Sequence, residues 1–140
     1  MDCKDLTIGD YVKYNEVTKI VDAVYLYSVS VHDPSEEWSI SEAKTYPVDD
    51  IEPIPLTEDI LVKNGFERQG DLYMYHIDAS DWYLRIDLVD LQDGLWSYDI
   101  DSYDKFNDSL ETHRNDRTFL KLHQLQHLLR LCGIDKELTI

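Results

Sequence analysis

The sequence predicts an α+β fold: a small bent or SH3-like β module, a short helix, an antiparallel β meander and a C-terminal helix packed on the sheet. Three observations support this class. Runs of β-branched and aromatic residues alternate with turn residues over 6–56, as in a series of short strands. Apolar and polar side chains alternate strictly over 82–88, as in a half-buried strand. Apolar residues recur at three- and four-residue steps over 119–132, as on one face of a helix.

We expect residues 1–140 to form a single domain, with a possible β module at 1–56 and a possible αβββα module at 57–140. Several short strands joined by turns suggest an SH3-like barrel or a strongly bent sheet for the first module. A plain antiparallel meander is the alternative. The expected strands are 11–14, 18–27 with 28–31 as a continuation, 38–40 and 50–54.

A short helix is predicted directly after this module. Thr57 can accept a hydrogen bond from the free amides of the first turn, and Gly65 can adopt the backbone conformation that ends a helix. Glu58 and Asp59 would lie at the positive end of the helix dipole. These signals place the helix between residues 57 and 65.

The central region predicts three antiparallel strands, at 72–77, 82–91 and 95–100. The pair Asp93-Gly94 is a strong hairpin signal between the last two. In the middle strand, one face is expected to be buried and the other wet. The buried set is Trp82, Leu84, Ile86 and Leu88, and the wet set is Tyr83, Arg85 and Asp87. Residues 101–117 are polar and are predicted to be mainly loop, with a short strand around Leu110.

The C-terminal helix is predicted to begin at Thr118 as its cap and to end at Gly133. His123 and His127 are four residues apart, so both rings can reach one metal ion. No Glu lies between them and no third ligand is near in sequence, so two solvated histidines are the favoured interpretation. The buried stripe is Phe119, Leu122, Leu125, Leu128, Leu129 and Cys132, and the wet side is His123, Gln124, His127 and Arg130.

The net charge of −16 argues against direct binding to nucleic acid or to an anionic membrane, since both require cationic side chains. No apolar run approaches the ~18 residues that a membrane span needs. Residues 1–5 lack the basic and apolar blocks of a signal peptide, so a cytoplasmic location is expected. Cys3 and Cys132 form no ligand motif and are interpreted as reduced thiols.

The acidity is concentrated in the middle of the chain. Residues 71–111 hold eleven acidic and two basic residues, a net of −9, whereas 112–140 carry a net of +2. Tyrosines lie among these aspartates, and Tyr is favoured at protein interfaces because it is large and can hydrogen-bond. The alternative is that many of these tyrosines are half-buried strand residues. The candidate interaction surface is Asp81, Tyr83, Asp87, Asp99, Asp101, Tyr103 and Asp104.

Catalytic motifs are not found in the sequence. There is no glycine-rich phosphate loop and no nucleophile elbow. Asp99, Asp101 and Asp104 are close enough in sequence to hold a hard cation, but position 12 of an EF-hand loop would be Leu110 rather than Glu. A solvated acidic loop is therefore the favoured interpretation, and no cofactor, metal or enzymatic activity is predicted.

Three sequence blocks resemble a known family. Residues 5–12 read D-L-T-I-G-D-Y-V, residues 51–58 read I-E-P-I-P-L-T-E before Gly65-Phe66, and H-Q-L-Q at 123–126 precedes E-L-T at 137–139. They are similar to blocks in a family of small uncharacterised proteins common in Bacteroidetes genomes, often in phage or other mobile elements. The resemblance is weak over 67–117. It implies a lineage and a fold, and no catalytic residue.

These observations favour a non-enzymatic cytoplasmic interaction protein of phage or mobile-element origin. It would use its acidic, Tyr-rich surface to bind a protein partner with a basic surface. A sharper version is a nucleic-acid mimic that blocks a nucleic-acid-binding protein. The alternatives are a small metal-dependent enzyme or ligand-binding domain, using the Asp cluster or the His pair, and a homo-oligomeric structural accessory.

Overall fold

The computed structural model describes residues 1–34, 43–92, 94–119, 121–134 and 138–140. It contains two five-stranded antiparallel sheets and short helices, which confirms the predicted α+β class. The chain divides into two compact units. The first unit comprises Met1–Pro55 and Lys121–Lys136, and the second comprises Leu56–Leu120 and Glu137–Ile140.

The sheet of the first unit has the strand order β4-β3-β2-β1-β5. The strands are β1 (Tyr11–Tyr14), β2 (Val17–Val24), β3 (Ser28–His32), β4 (Lys44–Pro47) and β5 (Ile51–Pro53), with 3-10 turns at Cys3–Asp5 and Val48–Asp50. β5 returns to pair antiparallel with β1, so the sheet is not a plain meander. The core of this unit is Cys3, Leu6, Val12, Val21, Val29, Val31 and Ile51.

Two strand predictions in this unit were wrong. β2 ends at Val24, and Ser28–His32 folds back antiparallel to it instead of continuing it. β4 (Lys44–Pro47) was not predicted, because its polar, mostly exposed side chains lack the alternation of a half-buried strand. The strand expected at 38–40 lies outside the described residues.

The C-terminal helix α2 (Leu122–Leu131) belongs to the first unit, whereas the sequence grouped it with the meander. Its apolar stripe is confirmed at three buried leucines: Leu122, Leu125 and Leu129. Gly133 ends it as predicted, with φ of +74° and its amide donating to the Arg130 carbonyl over 2.9 Å.

The predicted start of α2 was wrong. Thr118 and Phe119 continue a β-strand, and Lys121 precedes the first helical turn. The Leu122 amide donates to the Ile54 carbonyl over 2.9 Å, and the Lys121 amide donates to the Gln124 side-chain oxygen over 2.8 Å. Ile54 is distant from Leu122 in the sequence, so this hydrogen bond could not be inferred from the local pattern. Thr118 was therefore predicted as the cap.

The second unit contains the predicted meander, extended by two further strands. Its sheet order is β10-β9-β8-β7-β6. The elements are α1 (Glu58–Lys63), β6 (Glu67–Gln69), β7 (Leu72–Asp78), β8 (Trp82–Asp90), β9 (Leu95–Asp104) and β10 (Ser109–Phe119). The short strand predicted around Leu110 is present as part of β10, but the loop expected over most of 101–117 was wrong, because only 105–108 form a turn. Polar strands pair through their backbones as well as apolar ones do when a sheet face is solvated, so composition did not reveal them.

The alternation predicted for β8 is confirmed at Leu84, Ile86 and Leu88, which are all buried. Trp82 departs from it, because 37% of its surface is exposed at the start of the strand. From the neighbouring strands, Tyr73 packs edge-on against Trp96, with ring centroids 5.8 Å apart. These side chains form the buried face of the meander.

Helix α1 begins and ends as predicted, with Thr57 as cap and Gly65 at φ of +91°. Asn64, which follows the helix, is buried and ties the C-terminal residues to it. Its amide nitrogen donates to the Thr139 carbonyl over 2.8 Å, and its oxygen accepts from the Thr139 amide over 2.8 Å. The last residues of the chain are thus part of the second unit's fold.

Replacing Thr57 with alanine is expected to lower the free energy of unfolding by about 0.5–1 kcal/mol. The Thr57 hydroxyl accepts from the Ile60 amide over a long 3.4 Å, so the loss falls at the weak end of helix caps. Urea denaturation of the Thr57→Ala and Thr57→Ser variants checks this, with serine retaining most of the stability. Equal losses in both would show that the hydroxyl does not cap α1.

Over the described ranges, no helix is both long and apolar enough to cross a membrane.

Candidate functional site

Five of the seven predicted surface residues lie together on one face of the β8–β9 hairpin. Tyr83 faces Tyr103 and Asp87 faces Asp99 across the two strands, and Asp101 lies between them opposite Arg85. All five are partly exposed. We call these five residues, together with Arg85, the acidic face.

The other two predicted residues lie elsewhere. Asp81 is exposed in the turn before β8, where its carbonyl accepts from the Lys105 amide over 2.9 Å. Asp104 pairs with Trp82 and so belongs to the opposite side of the pleat. Its carboxylate closes the next turn by accepting from the backbone and side-chain amides of Asn107. These bonds hold the pKa of Asp104 below its usual value. The Asp104 carboxylate thus has a structural role in the turn.

The register extends the acidic face into both neighbouring strands. Asp78 of β7 lies opposite Tyr83, and Leu110 of β10 lies opposite Tyr103. The resulting row of Asp78, Tyr83, Tyr103 and Leu110 crosses four strands. Leu110 is 64% exposed. The row therefore combines exposed apolar surface with two tyrosines and a terminal carboxylate.

Side chains of the acidic face are organised by hydrogen bonds among themselves. Arg85 Nε donates to Asp87 over 2.9 Å, and Arg85 Nη2 lies 3.1 Å from the Met74 sulfur. Thr112 donates to Asp101 over 2.9 Å. Tyr103 donates to Asp108, and this bond raises the pKa of the Tyr103 hydroxyl. These bonds pre-organise the face, and the Tyr103 hydroxyl stays protonated at neutral pH.

The cation site considered for Asp99, Asp101 and Asp104 is not formed. Asp104 is on the opposite side of the pleat from the other two, and its carboxylate is occupied by Asn107. Within the described part of the chain, no group of three or more His, Cys, Asp or Glu side chains is placed to hold a metal ion.

A second group of interacting polar side chains lies in the first unit and was not predicted from the sequence. Asp10 is fully buried at the start of β1 and accepts from the Thr7 amide over 2.8 Å. His127 of α2 places Nε2 2.7 Å from Asp10 Oδ2, and Arg130 places Nη1 3.5 Å from Oδ1. We call Asp10, His127 and Arg130 the Asp10 cluster.

Gln126 strengthens the same attachment between α2 and the turn before β1. Its side-chain oxygen accepts from the Tyr11 amide over 2.9 Å, and its nitrogen donates to the Gly9 carbonyl over 3.0 Å. Gly9 has φ of +92°, and a Cβ there would lie 3.3 Å from Arg130 Nη2. The blocks I-G-D-Y and H-Q-L-Q, which carry part of the family resemblance, thus contact each other within the first unit.

The wet helix side predicted for His123 was wrong. His123 is buried, and its Nδ1 has no hydrogen-bond partner among the described residues. Its ring lies 5.7 Å from the His127 ring at an interplanar angle of 79°. His127 is directed to Asp10 instead of sharing a ligand with His123, so the two histidines serve the packing of α2.

Burial lowers the pKa of His123, and the nearby Asp10 carboxylate only partly opposes this. The neutral ring is therefore favoured in the folded state, while the unfolded chain takes up a proton near pH ~6.5. Since the unfolded state then binds more protons, stability is expected to fall as pH drops through this region. Urea denaturation at about pH 7.5 and about pH 5.5 measures this loss, and His123→Leu is expected to reduce it. An unchanged pH dependence in His123→Leu would contradict the assignment.

Comparisons with known proteins add no relative. No protein-family model, no curated protein and no solved structure matches the chain. The resemblance to the Bacteroidetes phage and mobile-element family therefore stays a prediction.

Proposed function

We propose that this protein is a non-enzymatic interaction protein that binds a basic protein surface through its acidic face. The observation that carries the proposal is that the Tyr83–Tyr103 pair and the Asp87–Asp99 pair lie on the same face of the sheet, with Arg85 and Asp101 between them. Interfaces commonly place aromatic anchors at their centre and charged groups at their rim. The acidic face has both features on one rigid sheet.

The charge of the face supports a cationic partner. Asp87 and Asp99 are directly opposite on neighbouring strands, where like charges destabilise a sheet. Arg85 offsets this by bonding Asp87, and the register places Arg114 of β10 opposite Asp99. The face still holds more acidic than basic residues, so lysine or arginine side chains of a partner would be attracted to it and would associate faster. The net of −9 over 71–111 extends this field beyond the face itself.

The side chains of Tyr83, Tyr103 and Leu110 in this row give such binding a source of affinity besides charge. Tyrosine side chains contribute large contact area at low entropic cost, and Leu110 adds exposed apolar surface at the end of the row. Electrostatic attraction would orient the partner, and desolvation of these side chains would hold it. The sharper form of the proposal is a cytoplasmic nucleic-acid mimic from a phage or mobile element, supported by the concentration of carboxylates.

The proposal is tested by capture from a bacterial host lysate at low and high salt. Wild-type bait is compared with Asp87→Asn/Asp99→Asn/Asp101→Asn, and a salt-sensitive partner is expected to be lost with that variant. The matched control, Asp5→Asn/Glu52→Gln/Glu67→Gln, removes the same formal charge at exposed positions outside the acidic face and should retain the partner. Equal loss in both variants, or no salt-sensitive partner, would refute a specific acidic surface.

Competition then separates the two forms of the proposal. If the captured protein binds nucleic acid, duplex DNA or structured RNA should displace it from the wild-type protein. Displacement supports the mimic. Binding that persists in excess nucleic acid contradicts the mimic and leaves a basic protein partner of another kind.

A further inference from the structure

The connection between β2 and β3 consists of three large exposed side chains. Tyr25, Leu26 and Tyr27 are 55%, 76% and 76% exposed. Single exposed apolar residues are ordinary, but in the described part of the chain this is the only run of three consecutive ones. We call residues 25–27 the hairpin tip.

The composition of the hairpin tip contradicts the usual chemistry of turns. Short hairpin turns favour Gly, Asn, Asp, Ser or Pro, whose backbones adopt turn conformations at little cost. Here the sequence reads Tyr-Leu-Tyr, which resembled part of a strand. Departures from local rules without a compensating gain in packing are expected at functional sites.

The backbone of the hairpin tip is held in place although its side chains are exposed. The Tyr25 amide donates to the Ser28 carbonyl over 2.9 Å, and the Val48 amide donates to the Tyr27 carbonyl over 2.9 Å. A fixed backbone lowers the entropic cost of binding, because only side-chain rotamers must be ordered. The tip therefore has the properties of a pre-organised anchor.

The second of these bonds also places negatively charged residues beside the hairpin tip. It brings the 3-10 turn Val48–Asp50 next to Tyr27, and Asp49 and Asp50 are both exposed. An apolar anchor beside two carboxylates complements an apolar pocket bordered by lysine or arginine. An anionic membrane surface would repel these carboxylates, and a second copy of the chain would bring another net charge of −16.

We propose that the hairpin tip is a second docking element, which inserts Tyr25, Leu26 and Tyr27 into a basic-rimmed apolar pocket on another protein. It lies in the first unit, so it is distinct in sequence and in fold from the acidic face. The proposal does not depend on the function assigned to the acidic face.

A library of random peptides displayed on phage tests this proposal with the full-length chain. The library is first depleted on the Leu26→Ser/Tyr27→Ser variant and then selected on the wild-type protein. Selected peptides are expected to combine apolar residues with Lys or Arg. A synthetic peptide of the selected sequence should bind the tip variant at least about tenfold more weakly than wild type, by isothermal titration calorimetry. Asp49→Asn/Asp50→Asn should weaken binding and reduce its salt dependence.

Two controls keep this test specific. Val17→Ser, an exposed apolar position on β2 in the same unit, and the acidic-face variant should both bind the peptide like wild type. Unchanged thermal melting of the tip variant shows that its fold is intact. No enrichment, or selected peptides without basic residues, would overturn the proposal. Binding of the tip to vesicles in flotation, or a self-association lost in the tip variant, would overturn it in favour of a membrane or a second copy.

Discussion

Replacing Asp10 with alanine is expected to lower the free energy of unfolding by about 1–3 kcal/mol. The substitution removes the acceptor of the Thr7 amide and the His127 ring, and it also removes the anion nearest to Arg130. Groups that lose a buried partner keep their desolvation cost, so the loss exceeds that of a surface pair. Urea denaturation of the purified variant measures it.

Asp10→Asn is the matched control for this prediction. Its side-chain oxygen can still accept from the Thr7 amide, while the negative charge facing His127 and Arg130 is lost. We therefore expect a smaller loss than with alanine. Equal losses in both variants would place the whole effect in the charge, and a loss below about 1 kcal/mol with alanine would show that the Asp10 cluster does not hold α2.

Replacing Ile86 with alanine is expected to lower the free energy of unfolding by about 3–4 kcal/mol. Ile86 is fully buried at the centre of β8, opposite Ile100 of β9, so truncation leaves a cavity that the sheet cannot close. Ile86→Val should cost only about 1 kcal/mol, because a single methylene is removed.

Fluorescence of Trp96, which is buried in the same unit, follows this transition. Leu110→Ala, at an exposed position of β10, should change stability by less than about 0.5 kcal/mol. If Ile86→Ala were as mild as Leu110→Ala, the buried face assigned to the meander would be incorrect.

The meander and α1 could be predicted because their signals are local. Alternation over Leu84, Ile86 and Leu88 requires only one strand to be recognised, and Thr57 with Gly65 marks both ends of α1. The pairing of Tyr83 with Tyr103 follows from the same alternation once the register is known. Five of the seven predicted interaction residues therefore share one face, whereas Asp81 and Asp104 lie elsewhere.

The Asp10 cluster could not be predicted because its partners are distant in the chain. Asp10 and His127 are separated by 117 positions, and a helical wheel assigns any polar residue opposite a leucine stripe to solvent. His123 was misplaced for the same reason. A weak signal existed in the resemblance, since Gly9 and Gln126 both lie in blocks that carry it.

The hairpin tip was obscured by its own composition. Tyr25, Leu26 and Tyr27 have high apolar or aromatic character, so they extended the preceding strand in a sequence-based prediction. The strands of residues 101–117 had the opposite problem, because their polar side chains suggested a loop. In both cases backbone pairing decided the structure, and composition did not reveal it.

The most direct test of the acidic face as a binding surface is isothermal titration of the captured partner, purified, into three proteins. These are wild type, Asp87→Asn/Asp99→Asn/Asp101→Asn, and the control Asp5→Asn/Glu52→Gln/Glu67→Gln. We predict that Kd rises at least about tenfold for the first variant, with a weaker salt dependence, and stays within about twofold of wild type for the control. Equal affinities in all three proteins, or the same loss in both variants, would contradict it.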